Sequence, residues 1–224
     1  MDSESPPVVA AFDLDGTLTE GGSVFPWLKS VAGRARTWRA ALSLAVPLTV
    51  GAFRSSRWAD NAKERLFLKL LAGFDEQIVI AESRTFALEH LEHEARALLL
   101  SRLAWHRDQG HDVVIVSASP QLYVDVMTEQ LGANGGLGTR LAVDPRGRLT
   151  GGYLGKNCRG SEKLRRLDEW IASRHYPTPP VVFAYGNSRG DRRMLSGAAH
   201  PFNVGKLGVF GSLRRFPRLE SPEQ

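Results

Sequence analysis

Two aspartates close to the start of the chain are the residues best placed to do chemistry together. Asp13 and Asp15 flank Leu14 directly after the apolar run Val8–Phe12. If the backbone stays extended there, both carboxylates leave the chain on the same side. Two carboxylates so close repel each other, so the pair fits either a cation between them or a shared proton. The same Asp-x-Asp-Gly pattern also fits an Asp-rich turn that does no chemistry.

A second group of polar residues is suited to binding phosphate. Ser117 and Ala118 follow the apolar run 112–116, where a hydroxyl and an amide could donate hydrogen bonds to a phosphoryl oxygen. Lys163 follows Gly160 in the predicted first turn of a helix, where a cation is unfavourable for the helix dipole. A lysine at that position is therefore predicted to neutralise a bound anion.

A third polar cluster is suited to binding a metal. Asn187 and Asp191 follow the apolar run 181–185 and offer an amide oxygen and a carboxylate. Mg²⁺ prefers octahedral sites made of such oxygen ligands and water. The sequence thus predicts a Mg²⁺ site after the third run.

The elements that must position these clusters form an α/β pattern. Each of the three runs is rich in β-branched residues and lacks alternation, which is typical of parallel strands covered on both faces. Helical patterns lie between them, at residues 92–109, 120–131 and 161–173. Strands separated by helices predict a doubly wound parallel sheet, whose ligands bind beyond the carboxyl ends of the strands. The three clusters should therefore meet in one crevice.

Four motifs in this order resemble those of the haloacid dehalogenase (HAD) superfamily of phosphatases. They are DLDGT at 13–17, Ser117, Lys163, and the G-x-x-x-x-D cluster that ends in Asp191. The resemblance covers nearly the whole chain and implies a phosphoric monoester hydrolase. It implies that Asp13 attacks phosphorus and forms an aspartyl-phosphate, while Asp15 acts as general acid and then general base.

The same resemblance assigns the remaining site residues. Mg²⁺ would be held by the Asp13 carboxylate, the Asp15 backbone carbonyl and Asp191. Asn187 would complete this metal site, although many relatives carry aspartate there, and the missing charge bears on metal affinity. The side chains of Ser117 and Lys163, with the amide of Ala118, would stabilise the transferring phosphoryl group.

The long gap between the first two strands predicts an inserted domain. Residues 21–91 have a helical pattern throughout and resemble the cap of the helical-cap subfamily IB, which includes phosphoserine phosphatases. The predicted catalytic core is then 1–20 together with 92–224. A smaller insert at 141–155 is predicted to be a hairpin, and the C-terminal residues 214–224 are expected to be a frayed tail.

Two short segments resemble the phosphatidylglycerophosphatase C-type branch of the family. They are Ser117-Ala118-Ser119-Pro120 and the stretch 157–163. This resemblance implies a phosphorylated lipid substrate such as phosphatidylglycerophosphate. A small soluble phosphomonoester such as phosphoserine is the alternative, although Glu20 is the only acid after Asp15 before residue 60 that could bind an amino group. A catalytically weak protein that binds anionic membranes is a further alternative.

The first half of the predicted cap carries the cationic excess of the chain. Residues 21–59 contain no acid and six cations, whereas the whole chain is +5, so the remainder is 5 − 6 = −1. The apolar run 40–53 has Trp38 before it and Trp58 after it, which fits either a cap core helix or a helix at a membrane interface. Nucleic acid is not expected as a partner, because this run interrupts the basic face.

Composition limits the class of protein. The 224 residues are 42% hydrophobic and 24% charged, which excludes a largely disordered chain. Cys158 is the single cysteine, and the first seven residues carry two acids and no base, so neither a disulfide framework nor a signal peptide is expected. These features predict a cytoplasmic protein, with peripheral contact at the inner membrane face left open. His90 and His93 are spaced as a metal pair, but the surrounding glutamates favour a solvated face.

Overall fold

A computed structural model of the protein describes residues 6–51, 56–206 and 213–219, with side chains described outside 44–59. The strands are β1 (Val8–Phe12), β2 (Asp112–Pro120), β3 (Gly135–Thr139), β4 (Leu141–Val143), β5 (Leu149–Tyr153), β6 (Val181–Gly186) and β7 (His200–Asn203). The helices are α1 (Val24–Ala32), α2 (Arg34–Gly51), α3 (Ser56–Leu71), α4 (Glu76–Glu94), α5 (Ala97–Asp108), α6 (Gln121–Gln130), α7 (Ser161–Ser173) and α8 (Arg192–Gly197). A 3₁₀ turn at Arg189–Asp191 precedes α8.

The main sheet confirms the predicted doubly wound α/β fold. Its five strands lie in the order β3-β2-β1-β6-β7, and every neighbouring pair is parallel. β1 is central and buried on both faces, with Ala10 and Phe12 in one apolar cluster and Val9 and Ala11 in the other. Because all five strands run in one direction, their carboxyl ends meet at one edge of the sheet.

Four helices, α1 to α4, occupy the long gap between β1 and α5, as the helical pattern predicts. They are called the insert helices below. Trp27 of α1 is fully buried and donates from Nε1 to Ser83 Oγ of α4 at 2.8 Å. Asp75 caps α4 by accepting from the amides of Gln77 and Ile78. Helix α3 begins at Ser56, before the acidic residue Asp60.

The predicted hairpin is present as β4 and β5, and it packs on an insert helix. Gly151 in β5 has φ +82°, and a Cβ there would lie 2.5 Å from Leu68 Cα of α3. The amide of Tyr153 donates to Glu64 Oε1 at 3.2 Å. The hairpin thus supports one face of α3, a contact that the sequence did not predict.

The expectation of a frayed tail is wrong for residues 214–219, the part of the predicted tail that the structure describes. The amide of Asn203, at the end of β7, donates to the carbonyl of Pro217 at 2.8 Å. Leu213 and Leu219 are buried and extend the two apolar clusters. Residues 220–224 lie outside the described part of the chain.

Two large apolar side chains of α2 are exposed in the part of the helix whose side chains are described, residues 34–43. Trp38 is 52% exposed and Leu42 is 67% exposed, whereas Ala40 is buried. The side chains of 44–53, together with Arg54, Arg57 and Trp58, lie outside the described residues. In the part of the chain that the structure describes, no helix has the length and apolarity needed to cross a bilayer.

Candidate active site

The carboxyl edge of the sheet carries a cavity of about 240 Å³. β1 and β6 end just before their polar clusters, whereas β2 continues through its own cluster to Pro120. The structure brings together all seven site residues that the sequence predicts, and they line this cavity: Asp13, Asp15, Ser117, Ala118, Lys163, Asn187 and Asp191.

A buried ion cluster lies at the floor of the cavity. Lys163 Nζ donates to Asp13 Oδ1 at 2.5 Å and to Asp191 Oδ1 at 2.6 Å, and its side chain is only 2% exposed. Burial and the charge of Asp191 raise the pKa of Asp13 to about 7, against the opposing charge of Lys163. Although burial alone would lower it, the two carboxylates hold the pKa of Lys163 above its ordinary value. Lys163 is therefore a permanent cation beside Asp13.

Asp15 has a different set of neighbours. Its Oδ1 accepts from the amide of Ser23 at 2.8 Å, and its Oδ2 accepts from Ser119 Oγ at 2.6 Å. The hydroxyl of Ser23 contacts Tyr123 OH at 2.8 Å and Ser119 Oγ at 3.2 Å. Ser23 lies in the loop before α1, so the carboxylate of Asp15 is oriented jointly by the insert and by β2.

The phosphate-binding residues also have defined surroundings. Ser117 is 1% exposed and accepts the amide of Ser119 at its Oγ, which leaves the Ser117 hydroxyl proton free to donate. The carbonyl of Ala118 accepts from Lys63 Nζ and from Thr139 Oγ1, both at 2.7 Å. These contacts fix the backbone of β2 where it faces Asp13.

The donor set around Asn187 fits a hard cation. Oδ2 of Asp191 accepts from the amide and the hydroxyl of Ser188 at 2.9 and 2.8 Å, while its Oδ1 faces Lys163. In contrast, Oδ1 of Asn187 is buried and has no hydrogen-bond partner among the described residues. Position 16 must be glycine for this placement, because a Cβ there would lie 1.9 Å from Asn187 Nδ2.

Asn187 therefore offers the open oxygen, beside Asp13 and Asp191. Among the described residues there is no group of three or more His, Cys, Asp or Glu side chains that could hold a metal ion. The candidate set is instead two carboxylates and one amide oxygen, which suits Mg²⁺ completed by water and substrate oxygens.

Helix α3 contributes two residues that the sequence analysis missed. Lys63 Nζ donates to Asn157 Oδ1 at 3.0 Å, and Asn157 Nδ2 donates to Asp60 Oδ1 at 2.7 Å. Lys63 and Asp60 both line the cavity, and burial lowers the pKa of Lys63 to about 8. Their spacing of three residues on one helix face was the available signal.

The paired histidines do not form a site. His90 is 8% exposed and stacks on Phe86 with 5.1 Å between the ring centroids, so the expected solvated face is wrong for His90. His93 is exposed, as expected. Cys158 is buried and donates to the carbonyl of Leu137 at 3.3 Å, which gives it a packing role.

Comparison with known proteins identifies relatives over most of the chain. A profile of the haloacid dehalogenase-like hydrolase family matches residues 10–196. Protein CicA of Caulobacter vibrioides is 33% identical over 190 residues, which are 85% of this chain and 82% of CicA. A phosphoserine phosphatase of Archaeoglobus fulgidus is 28% identical over 187 residues, covering 84% of this chain and 49% of that protein.

A similar solved structure is that of a protein of unknown function from Bordetella pertussis Tohama I. It has a TM-score of 0.79 at 20% identity and covers 96% of this chain and 99% of its own. This likeness confirms the fold, and the family profile spans every one of the four motifs from Asp13 to Asp191. The chain belongs to the haloacid dehalogenase-like hydrolase family.

Proposed function

We propose that this protein, a phosphatase of the haloacid dehalogenase type, hydrolyses phosphomonoesters through an aspartyl-phosphate on Asp13 and depends on Mg²⁺. A carboxylate oxygen of Asp13 attacks phosphorus as the bond to the leaving oxygen breaks, and Asp15 donates a proton to that oxygen. Asp15 then takes a proton from the water that attacks the intermediate, which releases inorganic phosphate and frees Asp13.

One observation carries this proposal: two carboxylates only two residues apart have separate environments. Asp13 contacts the buried cation Lys163, whereas Asp15 is held by Ser119 and Ser23. Such a division allows one carboxylate to act as nucleophile and the other as acid and base. Lys163 and the hydroxyl of Ser117 would stabilise the charge that develops on the phosphoryl oxygens.

Asp13, the carbonyl of Asp15, Asn187 and Asp191 would hold Mg²⁺. When bound, the cation would offset the repulsion between the Asp13 carboxylate and the phosphate. We also propose that 21–91, which contains α1 to α3 and most of α4, is a cap over a core formed by 1–20 and 92–224. The cap would exclude water and select the leaving group.

The proposed substrate is a phosphorylated lipid such as phosphatidylglycerophosphate. Two features of α2 support it: Arg34 and Arg39 are exposed and add positive charge, and Trp38 and Leu42 expose apolar area one turn apart. Such a surface suits peripheral contact with the anionic inner face of a membrane. A small soluble phosphomonoester is the second candidate, favoured by the phosphoserine phosphatase relative.

Phosphate release from purified protein tests the proposal. The substrates would be phosphatidylglycerophosphate in vesicles, phosphoserine and a chromogenic phosphate ester, each with Mg²⁺ and with a chelator. We expect metal-dependent turnover that is lost in Asp13→Asn and kept in the matched variant of the exposed Asp108, Asp108→Asn. Activity of one tenth or more in folded Asp13→Asn would contradict the covalent mechanism. Faster turnover of phosphoserine than of the lipid would favour the second candidate.

A further inference from the structure

A second cavity of about 890 Å³ opens beside the catalytic pocket. We call it the basic cleft. Its walls come from α3, β5, the 155–160 loop, the start of α7, the turn at Arg189–Asp191 and α8. The two cavities are adjacent, because they share the lining residues Asp60, Asn157, Arg159 and Gly190.

The charges that line the basic cleft do not balance. Five cations line it: Lys156, Arg159, Arg189, Arg192 and Arg193; only three carboxylates do: Asp60, Glu64 and Glu162. Asp60 faces Arg159 at 3.5 Å. Glu162 is paired with Arg165 at 2.6 Å and Arg166 at 2.9 Å, and these hydrogen bonds hold its pKa at about 2.

Four cations therefore face a single remaining carboxylate, Glu64. In the described part of the chain, no carboxylate lies within 4.0 Å of the charged groups of Lys156, Arg189, Arg192 or Arg193. Like charges gathered in a cleft repel one another and raise the local concentration of anions. This grouping is explained if an anion binds between them.

The donors of the basic cleft are suited to phosphate. Three of the four cations are arginines, whose planar guanidinium groups can each donate two parallel hydrogen bonds to phosphate oxygens. The thirteen-residue helix α7 also begins in the cleft, and its N-cap, Gly160, provides no side-chain cap to the first amides. Tyr153 is the only aromatic or aliphatic side chain among the described lining residues, so the cleft is not suited to an acyl chain.

We infer that the basic cleft binds a second phosphate group carried by the leaving group of the substrate. The inference rests on the proposed function, because the catalytic pocket must hold the phosphoryl group that is transferred. The substrate class is then a phosphomonoester with a further phosphate monoester or diester a few bonds away. A lipid head group or a soluble bisphosphate would both supply this chemistry.

A matched pair of substrates tests the inference. Propane-1,3-diol bisphosphate and propane-1,3-diol monophosphate have the same carbon skeleton and differ only in the second phosphate. We expect kcat/KM to be at least about tenfold higher for the bisphosphate. In Lys156→Gln/Arg193→Gln this preference should fall to about twofold or less, with monophosphate turnover unchanged.

The control removes two arginines elsewhere on the surface. Arg146 and Arg214 are exposed, lie outside the cleft lining and make no ion pair with a described residue, so Arg146→Gln/Arg214→Gln should keep the full preference. Equal kcat/KM for the two substrates in the wild type would overturn the inference. An equal loss of preference in both double variants would also overturn it, since bulk charge would then explain the effect.

A binding measurement separates this inference from the proposed function. Calorimetry would compare propane-1,3-bisphosphonate with propylphosphonate, neither of which can be hydrolysed. A preference for the bisphosphonate that is lost in Lys156→Gln/Arg193→Gln supports the cleft even if no phosphomonoester is turned over. Turnover without such a preference would support the proposed phosphatase activity and would contradict a second phosphate in the basic cleft. Comparing phosphatidylglycerophosphate with its deacylated head group then distinguishes a lipid from a soluble source.

Discussion

Asp13 and Asp15 are separated by one residue, yet their carboxylates face different partners. Thr17 Oγ1 donates to Asp13 Oδ2 at 2.9 Å, and Lys163 occupies the other oxygen. Asp15 instead receives donors from β2 and from the loop that begins the insert. A change at one of these donors should therefore disturb one carboxylate while the other keeps its contacts.

Ser119→Ala tests how Asp15 is positioned. Ser119 is fully buried and donates to Asp15 Oδ2 at 2.6 Å, so the variant leaves this oxygen without its donor. We expect kcat to fall by about tenfold to a hundredfold and KM to change less, because the proposed role of Asp15 is to transfer protons and not to bind phosphate. Steady-state kinetics should show rescue by Ser119→Thr and no effect of Ser196→Ala on the exposed side of α8. Equal losses in the Ala and Thr variants would point to packing instead.

Asn187→Asp tests the metal site. The open amide oxygen of Asn187 would become a charged ligand, so the Mg²⁺ concentration for half-maximal activity should fall by about tenfold. Asp191→Ala should raise that concentration sharply or remove activity, since the proposed metal site loses a whole ligand. Magnesium titrations of the three proteins measure this. Unchanged values in both variants would place the metal elsewhere.

At the scale of elements, the sequence predicted the strands that carry the site and missed those at the sheet edges. β1, β2 and β6 are β-branched runs, so their type follows from pattern. β3 is GGLGT, and its glycines are explained only by tertiary contact: a Cβ on Gly135 would lie 2.4 Å from the Trp170 ring. β7 has four residues and includes Pro201, which gives no strand signal.

The same limit applies to the site. Site residues at strand ends could be predicted, because parallel strands place their carboxyl ends together. Lys163 does not follow a strand, and the family motif predicted it. Ser23 and Tyr123 could not, since each joins the hydrogen bonds around Asp15 from a loop or helix whose packing no local pattern encodes. Lys63 had only its spacing from Asp60 on one helix as a signal. The 213–219 segment was missed for the same reason, because its partner is β7.

Helix α2 should determine binding to membranes. Arg34 and Arg39 are exposed, whereas Arg36 lies over the Phe74 ring at 5.1 Å. The test below therefore replaces Arg34 and Arg39 and keeps Arg36. Each of the two exposed arginines should contribute on the order of 1 kcal/mol near an anionic surface. Arg34→Ser/Arg39→Ser should therefore weaken binding to anionic vesicles by about tenfold or more at low salt, measured by co-sedimentation.

The matched control for this helix is Arg84→Ser/Arg146→Ser, which removes the same charge from exposed positions on α4 and on the hairpin turn. Hydrolysis of a chromogenic ester should be nearly intact in both variants. Absence of vesicle binding by the wild type, or equal weakening in the control, would refute a membrane role for α2.

A buried histidine, His106, should make the stability of the fold sensitive to acid. His106 is fully buried, and its ring contacts Tyr185 OH and His111 Nδ1, each at 2.8 Å. Burial, aided by the charges of Arg102 and His111, lowers the pKa of His106 to about 3. The ordinary pKa of histidine is about 6.5. Between about pH 3 and about pH 6.5, the unfolded chain therefore binds more protons at this residue than the folded chain does.

The stabilisation from neutral His106 should thus be complete above about pH 6.5 and be lost as the pH falls towards about 3. Urea unfolding at about pH 7 and about pH 5 should show a smaller loss of stability in His106→Asn than in the wild type. The exposed His93→Asn should lose stability as the wild type does. Identical losses in all three proteins would remove His106 as the cause.

Lys163 has a consequence for the life of the protein before it meets a metal. The ammonium group lies between Asp13 and Asp191, so the chain carries its own counter-ion for the two most crowded carboxylates. Small zinc domains, by contrast, take that charge from the ion and unfold when it is withdrawn. With magnesium as the proposed cofactor, the chain is therefore expected to fold and persist while magnesium is scarce. Its supply of metal would then govern when the enzyme works and leave unchanged how much folded enzyme the cell keeps.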